Sequence, residues 1–462
     1  TFTPCKHNAY PIRMRSILLL GAGRSASSLL QYLIEHAAEQ EWHITVAERD
    51  IAIVQKLTQG RDDVATPVEL DASDAEARGA LIGKHDLVIS MLPAFMHMDV
   101  MKDCLRLKKN VITPSYVPEE LWPLSAEFKK ADLTVLNEMG VDPGIDHMSA
   151  MRIIDGLRAK GARVEAFESY CGGLVAPESD NNPWGYKFSW NPRNVVLAGQ
   201  GNAARYIHDG DLKYIPYHKL FQRTERVEIP GFGAYDGYPN RDSLKYREIY
   251  GINEIPTMKR GTLRKGGFCA AWDVFVQLGC TEDGYAMELP KDATWPEYIR
   301  AFLTEDKSSK DVRSSLAAYL GLDPKGEVMQ KLDWLGLFGN GTIGEAGLSP
   351  AATLQRLLVD KWKLGPNDKD LLVMWHRFRY ALNGKNSEIH ATLTVTGKDT
   401  VYTAMARTVG LPMAIGAKLL LNGKIKERGV LLPVKPELYD PILDELATLG
   451  IAFTEKEVEA TA

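Results

Sequence analysis

The first 140 residues alternate short apolar runs with stretches of helical period, and this alternation confines the fold more than any other feature of the chain. "SILLL" (16–20) leads into "GAGRSA" and a helix from about Ser27 to His36. "HITVAERD", "ATPVELD", "DLVISML", "NVITPSY" and "LTVLNE" then recur with helical patterns between them. Strands that are apolar nearly throughout are buried on both faces, as in a parallel sheet covered by its crossover helices. The expectation is an α/β fold, a Rossmann-type doubly wound parallel sheet over residues 14–140.

The texture then changes. Residues 163–275 hold more Gly, Pro, Tyr and Trp, with alternating strands such as "RVEAFESYCGG". A mixed α+β domain is expected over 141–285 and 366–399, the second part supplying two strands joined by the polar "NGKNS" turn. Between them, residues 286–365 carry apolar residues at i, i+3 and i+4 and predict a small helical domain. "TAMARTVGLPMAIGAKLLLNGKI" reads as a long helix broken or kinked near Gly410–Pro412. At 462 residues the chain exceeds what one core can organise, so several domains are expected.

Composition excludes more than it selects. A formal net charge of −5 offers no basic field for nucleic acid, and the longest apolar run is far short of a membrane span. The five cysteines are scattered without a CxxC pair, which argues against a disulfide framework or a metal site and fits a reducing, cytoplasmic setting. Residues 1–13 lack the apolar core of a signal peptide and precede Met14, so they are read as an extension.

"GAGRSA" is G-x-G-x-x-A placed after a strand and opening a helix. There the glycines let a pyrophosphate approach backbone N–H groups at the helix N-terminus, and a dinucleotide is the ligand that such a turn takes. Glu48 ends the second strand, where a carboxylate bonds the ribose hydroxyls of NAD and repels a 2′-phosphate, while neighbouring Arg49 is the residue type that would welcome that phosphate. The direct charge penalty weighs toward NAD over NADP. Asp71 ends the third strand as an adenine or ribose neighbour. "SMLPAFMH" (90–97), "TPSY" (113–116) and "NEMGVDPGIDH" (137–147) leave three successive strand ends toward one crevice.

Further motifs are "SYCGGL", "APESDNNPWGYKFSW", "YPNRDS", "RGTLR" and "AMARTVGLP". Together with "DLVISMLP", "TPSYV" and "NEMGVDPGIDHM", they resemble the glutamate-forming saccharopine dehydrogenases (saccharopine reductases), in the same order from about Ile17 to Glu455. The resemblance implies a nucleotide-binding domain completed by a C-terminal segment, about 400–432, a substrate and dimerisation domain, and a homodimer. It implies interconversion of saccharopine with L-glutamate and 2-aminoadipate 6-semialdehyde, using NAD or NADP, in lysine metabolism. It places cofactor contacts on Gly21, Ala22, Gly23, Arg24, Ser25, Glu48, Arg49, Asp50, Asp71, Ala72, Leu92, Pro114, Ser115, Val141, Asp142, Pro143 and Asn191. Substrate contacts fall on Ser115, Tyr116, Asp142, Arg241, Thr262, Leu263 and Arg264. Three positions depart from the family pattern: Glu48, which puts NADP in doubt, Pro114 in place of a small hydroxyl residue, and Asn191 in place of a serine.

Saccharopine carries three carboxylates, which call for forked cationic donors, and Arg241 and Arg264 are of that type. An ammonium cannot release a hydride, so oxidation needs a group that takes or shares the amine proton. Asp142 is expected to hold the nitrogen, with Tyr116 and Cys171 as proton-relay partners, although a water or an inert buried thiol remains open. Asp146 is read as stabilising a helix N-terminus, His147 as bonding backbone or packing a helix start, and Glu138 as structural. Lys187 is read as neutralising a carboxylate or bridging domains. The alternatives are a carboxynorspermidine-type imine reductase and a non-catalytic dinucleotide-binding regulator.

Overall fold

Ile17 to Leu20 are fully buried in the computed structural model, which describes residues 14–198, 200–229, 231–239, 242–304 and 311–459. The N-terminal extension 1–13 and Arg241 lie outside these residues. The described residues fold into two compact units, one of 14–148 with 406–449 and one drawn from 149–405 with 450–459.

In the first unit, β1 (Arg15–Leu20), β2 (Trp42–Glu48), β3 (Ala65–Glu69), β4 (Leu87–Ser90), β5 (Asn110–Ile112) and β6 (Thr134–Leu136) form one sheet with the strand Gly429–Leu431. Its order is Gly429–Leu431, β6, β5, β4, β1, β2, β3, and every pair is parallel. The strand order reverses between β1 and β4, which places the crevice for a ligand at the carboxyl ends of those strands. The helices between strands are set by local chemistry. Asp50 and Asp74 accept backbone N–H groups at the starts of Ile51–Thr58 and Ala75–Gly83.

Of the break or kink expected near Gly410–Pro412, the break is absent: the helix Ala404–Leu421 runs on through both residues. Its start is fixed by Asp370, whose carboxylate accepts the N–H groups of Ala404 and Met405 at 2.6 and 3.0 Å. Gly410 is needed for close approach, since a Cβ there would stand 2.7 Å from the Leu29 backbone nitrogen in the helix Ser27–Gln40. With 18 residues and a mean hydropathy of 1.3, the helix is long and apolar enough to cross a bilayer, contrary to the sequence reading, yet 72% of it is buried in the protein. It is a core helix.

The second unit is built on a mixed sheet. β7 (Arg163–Val175), β8 (Ala204–His208), β9 (Asp211–Ile215), β10 (Glu225–Ile229), β11 (Gly233–Pro239), β12 (Thr257–Lys265), β13 (Asp370–Leu382) and β14 (Lys385–Thr396) are joined by the strand Thr454–Glu459. The main order is β10, β11, β12, β7, β13, β14, Thr454–Glu459, with β8 pairing β12 and β9. Only β12 and β7 run parallel among these pairs of described residues. Asn383 and Gly384, both at positive φ, make the tight β13–β14 turn.

The helices of 286–365 share a single hydrophobic cluster with Trp184, Tyr186, Phe188 and the helix Phe268–Leu278. Trp362 sits among them, its ring centroid 5.1 to 5.3 Å from those of Trp184, Tyr186 and Phe188. That packing accounts for the aromatic density of "NPWGYKFSW". These side chains are core, in edge-to-face contacts that add to their area burial.

Candidate functional site

The first unit assembles its groups at the carboxyl ends of β1, β2, β4, β5 and β6. Gly21, at φ +90°, lies so close to the β4 exit that a Cβ would meet the Met91 carbonyl carbon at 3.1 Å. Gly23 faces open space, and Ala26 at the N-cap of Ser27–Gln40 supplies no capping side chain. A bare helix end behind a glycine turn suits a pyrophosphate.

Glu48 does not stand free beside that loop. Its Oε2 accepts the Ala22 N–H and its Oε1 the Arg49 N–H, both at 2.8 Å. The carboxylate therefore braces the loop, a structural use that the sequence position alone did not show. Asp50 is spent as a helix cap at 3.1 Å from Ala52 N. Asp71 takes the Ser73 hydroxyl and N–H, which together hold its carboxyl below the usual range, with Arg49 adding to the effect. The Ala72 carbonyl accepts from buried Arg78. Leu92 is half-buried at the β4 exit.

Beneath the β4 and β5 exits lies a residue whose role the sequence did not reveal. His97 is buried and shares hydrogen bonds with Ser90 Oγ at 2.9 Å, Thr113 Oγ1 at 3.0 Å and Ser115 Oγ at 2.9 Å. Burial pushes its imidazole down to about 4, so it is neutral near pH 7. It thus anchors Ser115, while Pro114 packs over Gly140. Its only sequence signal is a polar residue recurring among apolar ones at the crevice mouth.

Tyr116 is half-exposed, and its hydroxyl donates to Asp142 Oδ1 at 3.3 Å. Val141 and Pro143 flank that carboxylate in the turn before the helix Ile145–Ala159. Asp146 Oδ1 accepts the Gly144 N–H at 2.6 Å, in line with its expected place at the helix start. His147 does more than expected. Its N–H does bond the Gly144 carbonyl, but its Nε2 also stands 2.7 Å from Glu138 Oε2, with both side chains fully buried. Arg24 and Ser25 lie on the loop's outer side, exposed and half-buried.

The second unit carries its own set on one sheet face. Cys171 of β7 is in register with Thr262 of β12, which is in register with Tyr238 of β11. Arg264, two residues on, shares that face and is buried, its guanidinium 5.1 Å from the Tyr186 ring and 5.5 Å from that of Phe268. Its Nη1 donates to the Leu263 carbonyl, its Nε has no partner, and no carboxylate among the described residues pairs with it. Leu263 points to the opposite face, into the cluster with Tyr170 and Trp375. Asn191 caps the short helix Pro192–Val196. Lys187 is buried against Asp368, within its own unit. Arg241 lies outside the described residues. No group of three His, Cys, Asp or Glu side chains among the described residues could hold a metal.

The parallel sheet with its glycine turn defines a dinucleotide-binding protein of the Rossmann type, extended by a mixed α+β unit. Residues 17–136 match the saccharopine dehydrogenase NADP binding domain and residues 140–451 the saccharopine dehydrogenase C-terminal domain, and the chain belongs to that family. It is 37% identical to a saccharopine dehydrogenase [NADP(+), L-glutamate-forming] of Saccharomyces cerevisiae, over 96% of this chain and 99% of that one. It is 36% identical to a mitochondrial alpha-aminoadipic semialdehyde synthase of Bos taurus, over 95% of this chain but 47% of the other. The solved apo structure of the L-Glu forming saccharopine dehydrogenase from Saccharomyces cerevisiae matches with a TM-score of 0.85 at 35% identity, covering 96% of this chain and all of that one. The expected preference for NAD finds no support: the matched domain is named for NADP binding, and the saccharopine dehydrogenases of Saccharomyces cerevisiae, Pyricularia oryzae and Schizosaccharomyces pombe carry NADP(+) in their names.

Proposed function

We infer that this chain catalyses the NADP-linked interconversion of saccharopine with L-glutamate and 2-aminoadipate 6-semialdehyde. In the oxidative direction the C–H bond beside the secondary amine gives up a hydride, the nitrogen loses its proton, and water then cleaves the resulting imine. The dinucleotide, when bound, supplies the hydride acceptor, and the glycine turn with its bare helix end is where its pyrophosphate fits. Arg49 is the side chain suited to a 2′-phosphate.

The chain's own residues divide the remaining work. Asp142 orients the amine and takes or shares its proton, with the Tyr116 hydroxyl as relay. Cys171 and Thr262 line the face that carries Arg264. The observation that carries the reading is Arg264: a buried guanidinium, stacked on aromatic rings and left without a carboxylate among the described residues. A permanently charged group is costly to bury unpaired, and a substrate carboxylate would complete it. Arg241 is retained as a second cation, and a homodimer as the assembly.

The test is initial rates of saccharopine oxidation with NADP and NAD side by side, read by reduced-nicotinamide absorbance. Turnover favouring NADP supports the reading, and none with either cofactor sinks it. In the reductive direction, activity with a diamine in place of glutamate would turn the assignment to a carboxynorspermidine-type reductase. Dinucleotide binding without turnover would turn it to a regulator.

A further inference from the structure

Contacts of Glu138 converge on the residues flanking Tyr116 and Asp142. Its backbone N–H donates to the Ser115 carbonyl at 3.1 Å, and its Oε1 accepts the Val117 N–H at 3.0 Å. One residue thus grips the chain immediately before and after Tyr116. Its other oxygen, Oε2, meets His147 Nε2 at 2.7 Å, and His147 N–H donates to the Gly144 carbonyl at 3.0 Å. Gly144 N–H in turn bonds Asp146 Oδ1. The turn that carries Asp142 is therefore tied through His147 to the same carboxylate that grips the Tyr116 loop.

Two further observations separate this arrangement from ordinary packing. Glu138 and His147 are both fully buried, an expensive location for an ionisable pair. Glu138 also sits at φ +58°, a left-handed conformation that non-glycine residues seldom adopt. In that conformation its N–H and its carboxylate both reach the Tyr116 loop.

We propose that Glu138, through its bridge to His147, is a positioning residue that sets the Tyr116 hydroxyl against the Asp142 carboxylate for proton transfer. This rests on the reaction assigned above. The bridge acts by geometry, so the shape of residue 138 matters and its charge does not. Glutamine at 138 still offers an oxygen to Val117 N–H and a nitrogen to His147. Aspartate keeps the charge but is too short to reach both.

The experiment measures kcat, KM for saccharopine and NADPH affinity by fluorescence for the wild type, Glu138→Gln, Glu138→Asp, Tyr116→Phe and the Glu138→Asp/Tyr116→Phe double variant. Expected are a kcat within about threefold of wild type for glutamine and a loss of roughly 10- to 30-fold for aspartate, no larger than that of Tyr116→Phe, with NADPH affinity held within about twofold. In the Tyr116→Phe background, Glu138→Asp should cost little more, since the hydroxyl that it positions is gone. Losses that multiply, a glutamine variant as poor as aspartate, or NADPH affinity falling in step with kcat would overturn the proposal. Should Glu138→Asp fail to fold, His147→Ala cuts the same bridge from its other end and is held to the same expectations. A wild type without turnover would instead fell the assigned reaction, and this inference with it.

Discussion

Tyr116 Oη stands 3.3 Å from Asp142 Oδ1, a hydroxyl donating to a carboxylate across two strand-end loops of the nucleotide-binding unit. Both residues are held by buried groups beneath them: Ser115 by His97, and the Asp142 turn by Asp146 and His147. General acid–base groups of this kind contribute roughly 10²- to 10⁴-fold to rate. Asp142→Asn should therefore lower kcat by about 100-fold or more, and Tyr116→Phe by less. NADPH affinity should stay near wild type in both. Steady-state rates beside fluorescence titration check this, and an Asp142→Asn enzyme with near-normal kcat would refute the assignment.

Arg264 offers a planar fork that lysine cannot reproduce, and its face rests on Tyr186 and Phe268. Arg264→Lys should raise the KM for saccharopine by roughly 10- to 100-fold, the scale of one charge-assisted pair. The NADP KM should move much less. Unchanged saccharopine affinity would mean that this buried charge serves some other purpose.

Cofactor choice separates Arg49 from Glu48. Arg49→Ala should weaken NADP by about tenfold, the scale of one lost phosphate contact, and leave NAD nearly untouched. Glu48→Ala should weaken both, because the carboxylate braces the loop at Ala22 N–H. Selective recovery of NADP use in Glu48→Ala would restore the charge-repulsion argument.

His97 makes acid sensitivity predictable. Its imidazole is depressed from 6.5 to about 4 by burial, so the unfolded chain binds the proton first as pH falls. Stability from this group is complete above pH 6.5, declines between 6.5 and about 4, and totals about 3 kcal/mol across that window. His97→Gln, which keeps hydrogen-bonding capacity without titrating, should show a flatter melting temperature over the same range. Parallel curves for the two proteins would remove His97 as the cause.

Gly261 separates the two arginines of "RGTLR". A Cβ there would stand 2.4 Å from the Tyr170 ring and 2.6 Å from the Tyr238 carbonyl. Gly261→Ala should cost about 1–3 kcal/mol by overpacking, seen as a lower melting temperature, and should raise the saccharopine KM by shifting Thr262 and Arg264. An unaltered melting temperature would show that the ring yields freely.

Much of the first unit was legible because its strands are apolar throughout and its turn chemistry is local. "SILLL" followed by "GAGRSA" states a buried strand, a tight turn and a helix start within eleven residues. What escaped depends on partners distant in sequence. Glu138 reads only as structural, and His147 as bonding backbone or packing a helix start, since nothing local says that a carboxylate at positive φ will grip two loops. Glu48 sat at the expected strand end, but its engagement with Ala22 is a matter of side-chain direction. The strand Thr454–Glu459, "TEKEVE", has too little apolar alternation to announce itself, and it forms because β14 presents a free edge. Arg264 was legible as a carboxylate partner from its type, but its burial over the ring of Tyr186, distant in sequence, was not.

The pairing of β6 with Gly429–Leu431 has a consequence for how the protein is made. Thr134 and its partner near Glu427 are 293 residues apart, so synthesis at about 5–20 residues per second separates them by roughly fifteen seconds to a minute. Throughout that interval the nascent nucleotide-binding sheet emerges from the ribosome with one border open, a surface that another chain could join. The sheet of the nucleotide-binding unit is thus closed at that border only after residues 429–431 have been made.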